Sequence, residues 1–292
     1  MKNEIDLEKC RKCGLCAEIC PVGLLEQDEA GIVRFVPERQ DICLECGQCM
    51  AICPADAVRA AHYCYEKHLF DLPENTIDYA GLHNFFANRR SVRNFREKPV
   101  EPELIEKIIA SIDFAPYGAS PDKVETSAIV SRQVIEAALP LMEQFLDNIV
   151  KWIENPVAAF MIKYKKGIET FNTVKNHLYP MAKLENYKLK YGDRITRGAR
   201  AMLIFHAPYN AEEHTVNSVI YCVYSMFAAQ ALGLGASMNG IVPAAVNKVA
   251  AIRKIFHIPD NHEAVIALTL GYPKYKYKKA IKRNYRKINW IN

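Results

Sequence analysis

The sequence predicts an α+β chain in two parts: a small cysteine-rich N-terminal domain and a larger mixed domain behind it. Three observations predict this. The motif C-x2-C-x2-C-x3-C-P occurs twice, as CRKCGLCAEICP at 10–21 and CLECGQCMAICP at 43–54. The chain has 292 residues, far more than that motif needs, and about 230 remain for a domain with a substantial core. In that remainder short β-rich runs mix with long helical ones, the pattern of an α+β domain.

The cysteine motif comes first. Three thiols at two-residue gaps can wrap one corner of a cubic iron–sulfur cluster from a single loop, and in two-cluster proteins the fourth, before the proline, ligates the other cluster. That rule assigns Cys10, Cys13, Cys16 and Cys53 to one 4Fe-4S cluster and Cys43, Cys46, Cys49 and Cys20 to a second. Gly14 and Gly47 occupy the same place in each loop, where a small residue lets backbone N–H groups approach the sulfurs. Structural zinc prefers two CxxC pairs closed at four ligands, which leaves the third cysteine and the CP unexplained. A disulfide framework needs an oxidising compartment, and nothing in the sequence directs export. Residues 1–64 resemble a bacterial two-cluster ferredoxin, and the resemblance implies one-electron transfer at low potential. Cys64 is given no role, and Cys222, inside an apolar helical stretch, reads as a small core residue.

Charge divides the chain at the same place. Residues 1–64 hold 7 Lys/Arg against 11 Asp/Glu, and the rest holds 31 against 22. An acidic module on a basic body suits mutual docking, or a body that holds an anionic cofactor. No helix-turn-helix or zinc-finger pattern supports a nucleic-acid partner. The N-terminus has early acids and no apolar core of a signal peptide, and the most apolar stretch, 216–236, is broken by polar residues. The expectation is a cytoplasmic protein without a membrane segment.

Residues 65–80 read as a linker, and residues 81–292 as the second domain. Glu101-Pro102 opens a helix whose Leu104, Ile105, Ile108, Ile109 and Ile112 share one face. Strands are expected at 126–130, 200–207 and 263–272. A long core helix is expected at 215–232, stopped by Gly233. The stretch 141–198 reads as helical and suits a dimer surface or a lid. Eight Lys/Arg and no acid lie between Lys274 and Lys287.

Three segments of this domain together resemble the FMN-dependent nitroreductase family. In NRRSVRNF, adjacent arginines and a serine offer bidentate donors and a hydroxyl to a phosphate. The resemblance implies that Arg89, Arg90, Ser91 and Arg93 hold the FMN phosphate and ribityl chain. APYGASPDKVETSAIV matches a loop that usually carries an Asn near the flavin, and Ser120 stands at that position. ALGLGASMNGIVPAAV implies backbone against the flavin ring at Ala236, Ser237, Met238, Asn239 and Gly240, with Met238 where an aromatic residue is often found. In the tail, Arg283, with Lys282 as the alternate, matches a phosphate-binding basic residue.

The expected function is an iron–sulfur flavoprotein oxidoreductase. Electrons would pass from a low-potential donor through the clusters to FMN, and on to a small organic acceptor such as a nitroaromatic, a quinone or an activated alkene. GLGASMNG lacks the third glycine of a dinucleotide fingerprint and follows a helix. An external ferredoxin or similar carrier is therefore the expected donor, with NAD(P)H the other candidate. The resemblance implies a homodimer with FMN at its interface. No catalytic residue is named, and Tyr117 and His206 read as core groups. The rivals are a relay that hands electrons to a partner protein, and a redox sensor, which the absence of an output module disfavours.

Overall fold

The doubled cysteine motif folds as a doubled structure. In the computed structural model, which describes residues 3–119, 121–183, 192–283 and 287–291, the chain forms two units, Met1–Ile77 and Asp78–Asn292. In the first unit β1 (Glu4–Ile5) pairs antiparallel with β4 (Val58–Arg59), and β2 (Leu25–Gln27) with β3 (Val33–Phe35). Each cysteine loop runs into a four-residue helix, Leu15–Glu18 or Gln48–Ala51, through a left-handed glycine, Gly14 at φ 75° and Gly47 at φ 69°. The positive φ at Gly14 disfavours any side chain, and a Cβ there would also push aside the Gln27 amide, whose Oε1 would lie 2.3 Å away. Leu24, Leu25, Val33, Phe35, Met50 and Val58 form the small core.

Tyr65 and Leu69 pack against that core, and Tyr65 O–H donates to the Met50 carbonyl at 3.4 Å. The start of the segment read as a linker therefore belongs to the first unit. The break falls after Ile77, where Asp78 caps the Tyr79–Asn88 helix by accepting from Gly81 N–H at 2.7 Å.

The second unit is built on a four-stranded antiparallel sheet in the order β5 (Glu125–Ile129), β6 (Ala201–Pro208), β8 (His262–Gly271), β7 (Gly235–Asn239). Alternation along β6 divides the core. Leu203 and Phe205 face the His214–Ala231 helix, which brings Tyr221, Cys222 and Met226, and the Pro102–Ala110 helix, which brings Ile105 and Ile108. Met202 and Ile204 face the Arg132–Glu154 helix through Ile135, Met142 and Leu146, beside the short helices Ile241–Val246 and Ala250–Ile255. The expected strands correspond to β5, β6 and β8, and the expected core helix to His214–Ala231, with Gly233 at φ 78° just beyond it. Strand β7 is the addition. Gly235, Ala236 and Ser237 have low β propensity, and pairing with β8 over five residues makes the strand.

At one end of the sheet the buried His206 and His262 face each other, Nδ1 to Nδ1 at 2.8 Å, one donating and one accepting. His206 Nε2 lies 3.0 Å from Ser127 Oγ. Burial first, then the charges of His262 and Arg253, pull His206 down to about 4. Its unfolded imidazole takes a proton near the ordinary 6.5, the folded one only near 4. The stability tied to this group is therefore complete above pH 6.5 and falls as pH drops toward 4, by about 3 kcal/mol in all. Both tryptophans, Trp152 and Trp290, lie in this unit. Denaturation followed by their fluorescence should show that His206→Gln flattens the loss of stability between pH 6.5 and 4.5; an unchanged slope would remove His206 as its source.

Candidate functional site

The eight motif cysteines fall into two pockets. Cys10, Cys13, Cys16 and Cys53 line one, with Ile5, Val33 and Val58 among its apolar walls. Cys20, Cys43, Cys46 and Cys49 line the other, with Leu24, Leu25 and Phe35. All eight thiols are free. Backbone donors repeat between the halves: Lys12 N–H to Cys10 Sγ and Glu45 N–H to Cys43 Sγ, both at 3.4 Å, then Leu24 N–H to Cys20 Sγ at 3.2 Å and Ala57 N–H to Cys53 Sγ at 3.3 Å. Lys12 and Glu45 hold matching left-handed backbones, φ 57° and 53°.

Thiols gathered this way resist ionisation. Burial, then Cys53 and more weakly Cys10, push the Cys16 thiol up. Burial, then Cys46, with Cys20 and Cys43 behind it, push Cys49 up to about 11. Only a cationic core among them reverses that, since metal binding deprotonates its thiol ligands. Four soft sulfur donors per pocket fit an iron–sulfur cluster.

The second site begins at the edge of β7. Ser91 forms a parallel bridge to Ala236, and Val92 N–H donates to the Ala236 carbonyl at 3.0 Å. Gly235 allows this, because a Cβ there would lie 2.7 Å from Val92 Cγ1. Farther along, Phe95 bridges to Pro273 and packs where a Cβ on Gly271 would lie 2.8 Å from its ring. Lys274 N–H then donates to the Asn94 carbonyl at 2.9 Å.

Arginines gather along this seam, and among the described residues no acid lines the two cavities beside it. Burial first, then the like charges of Arg283, Arg90 and Arg93, lower the Arg89 guanidinium from its usual value. Arg90 Nη1 donates to the carbonyls of Ala87 and Arg89, at 2.9 and 2.6 Å, and Nη2 to that of Lys279 at 2.8 Å. Its Nε is buried and has no partner among the described residues. Arg93, Lys282 and Arg283 are exposed. A 360 Å³ cavity lies against Arg89, Arg90, Gly235, Ala236, Tyr275 and Tyr277. A 170 Å³ cavity lies against Arg93, Arg197, Ser237, Met238, Asn239 and Gly240. Val92 lines both. Clustered cations fit an anionic group such as a phosphate.

Within β7, Ser237 is buried and its carbonyl accepts from Thr269 Oγ1 at 3.0 Å, while Met238 and Gly240 are exposed. Asn239 points away to local duty: its Oδ1 accepts from Ile241 and Val242 N–H at 2.9 and 3.1 Å, and its Nδ2 donates to the Ile195 carbonyl at 2.8 Å. Ser120 lies outside the described residues. Asn217 holds Gly118 and Ala119, accepting from Gly118 N–H at 2.8 Å and donating to the Ala119 carbonyl at 2.9 Å.

Sequence reasoning missed the knot that shapes the second cavity. Buried Asp193 accepts from the N–H groups of Ile195, Thr196 and Gly198, from the Thr196 hydroxyl, and from Arg132 Nη1 at 3.0 Å. Its carboxyl is held below the usual range by these donors, although burial alone would raise it. The one signal in the sequence was DRITR before a strand, four polar residues around Ile195. An 870 Å³ cavity elsewhere contains none of the expected site residues; its wall mixes Glu97, Glu136, Glu143, Asp147 and Asp193 with Arg132, Lys151 and Arg200.

Comparisons bear on both sites. The nitroreductase family model matches residues 86–272, and a 4Fe-4S dicluster domain matches residues 9–57. Solved structures with the same fold include a nitroreductase with bound FMN from Bacteroides fragilis, 17% identical, covering 72% of this chain and 98% of that one at a TM-score of 0.51. Another, a nitroreductase with bound FMN from Desulfitobacterium hafniense, is 18% identical over 72% of this chain and 97% of that one, at 0.52. No curated protein matches the chain. Among the described residues, no helix is long and apolar enough to cross a membrane.

Gly235→Ala tests the seam. Forcing a methyl against Val92 should cost about 1–3 kcal/mol, read as a lower denaturant midpoint, and should speed hydrogen exchange at the Val92 amide. Unchanged exchange would mean that Gly235 does not hold the two segments together.

Proposed function

The chain belongs to the nitroreductase family and is an oxidoreductase with an iron–sulfur domain, and from that premise we propose that it moves electrons from a low-potential carrier through two 4Fe-4S clusters and FMN to a small organic acceptor. The supporting observation is the combination in one chain of two four-cysteine pockets and a group of arginines beside β7 whose two cavities carry no acid among the described residues.

In this reading the thiolates of Cys10, Cys13, Cys16 and Cys53 hold one cluster and those of Cys43, Cys46, Cys49 and Cys20 the other. The paired N–H donors to Cys10, Cys20, Cys43 and Cys53 offset negative charge on the sulfurs, which favours the reduced state. Arg89, Arg93 and Arg283 bind the FMN phosphate, with Ser91 beside them. The backbone of Ala236–Gly240 faces the ring, and Asn239 fixes it by capping the helix that follows. FMN, when bound, exchanges single electrons for a transferred pair. The active form is a homodimer, and the donor is an external ferredoxin-like carrier. The acceptor is a nitroaromatic, a quinone, an activated alkene or a chemically similar molecule.

Protein purified without oxygen should contain about eight irons and as many labile sulfides per chain. Cys13→Ser should remove about half of both and leave flavin content unchanged, because the thiol and the arginines lie in different units. Zinc in place of iron, without labile sulfide, contradicts the cluster reading. Arg89→Ala removes a charge-assisted phosphate contact and should weaken FMN roughly ten- to a hundredfold, about 1.5–3 kcal/mol. Flavin titration giving the wild-type dissociation constant would show that the arginine seam holds something else.

A further inference from the structure

Arg90 stands among the expected phosphate ligands, yet its guanidinium is engaged elsewhere. Of its five donors, Nη1 serves two carbonyls of its own segment and Nη2 serves the Lys279 carbonyl, 189 residues away in sequence. The guanidinium also lies 5.8 Å from the centre of the Tyr277 ring. We propose that Arg90 is a positioning residue that fastens the C-terminal segment 273–283 across the arginine seam and so delivers Arg283 to the cofactor's phosphate.

The segment needs such a fastening. It leaves the sheet at the Phe95–Pro273 bridge, is bound again by Lys274 N–H to Asn94, and receives Arg96 Nε at the Pro273 carbonyl, 3.1 Å away. Beyond that point Lys276, Lys278, Lys279, Lys282 and Arg283 follow with no acid among them. Like charges repel this run from Arg89, Arg90 and Arg93, so side-chain electrostatics drive it off the seam rather than onto it. A bond to a backbone carbonyl escapes that repulsion, because the acceptor is a neutral dipole present whatever the side chain is. Lys279 stands four residues before Arg283, so a chain pinned at its carbonyl keeps Arg283 within about 14 Å. Arg283 is among the charges that lower Arg89 from its usual value, so the two guanidiniums lie on the same side of the molecule's charge cluster. When a phosphate neutralises these cations, repulsion becomes attraction, and the tether has already met the entropy of bringing Arg283 there.

The proposal rests on the FMN reading for the identity of the anion, but the tether itself does not. Two measurements on the full chain separate them. In a double-mutant cycle, Arg90→Ala should weaken FMN about tenfold in the wild-type background and less than twofold in the Arg283→Ala background, since Arg90 acts through Arg283. An equal loss in both backgrounds overturns the proposal and marks the orphaned Nε as a direct ligand. In limited trypsin digestion without flavin, Arg90→Ala should release the tail by cleavage after Lys279 or Lys282 about tenfold faster than wild type. An unchanged cleavage rate overturns the tether. Arg90→Lys, which keeps the charge but lacks a planar fork to bridge three carbonyls, should match Arg90→Ala in both measurements, and serves if the alanine variant does not fold. Wild-type protein that binds no FMN would end the flavin reading and leave the tether to be judged by its digestion.

Discussion

Val92 and Gly235 approach so closely that one methyl group at position 235 would lie 2.7 Å from Val92 Cγ1. The seam on this edge of the sheet depends on that contact. It lets a segment distant in sequence pair with β7 through Ser91 and the Val92 N–H. The pairing sets Arg89 and Arg93 on either side of Val92, one against each cavity. It also carries Phe95 over Gly271, where the chain leaving β8 is turned back along the seam.

The two units follow the same electrostatic logic with opposite signs. In the first, burial and then the neighbouring thiols suppress the ionisation of Cys16 and Cys49. In the second, burial and then the like charges of Arg283, Arg90 and Arg93 lower the hold of Arg89 on its proton. Each arrangement is unfavourable alone and becomes favourable around an ion of the opposite sign. Iron suits the first and a phosphate the second.

The cysteine sets were legible because ligand spacing is local: each loop supplies three thiols within seven residues. Strands β5, β6 and β8 were legible through their branched and aromatic residues, whereas β7, spelled GASMN, owes its existence to its partner. Arg90 reads in the sequence like its neighbour Arg89, because residue type reveals donors and not which acceptors lie within reach. Asp193 and Asn217 were invisible for the same reason: their partners Arg132 and Gly118 stand 61 and 99 residues away. Tyr65 and Leu69 show no periodicity in the sequence, and only the packed core reveals that they cover the first unit, which runs on to Ile77.

If electrons enter through the iron–sulfur unit, the two units must differ in what they can accept. The direct measurement is the anaerobic rate of acceptor reduction with pre-reduced ferredoxin as donor, for the full chain and for a chain beginning at Asp78, both loaded with FMN. The shortened chain should lose at least about tenfold in rate while its chemically reduced flavin still reacts with the acceptor at the full-length rate. Equal rates from the two chains with ferredoxin would contradict cluster entry and place the point of electron entry in the second unit.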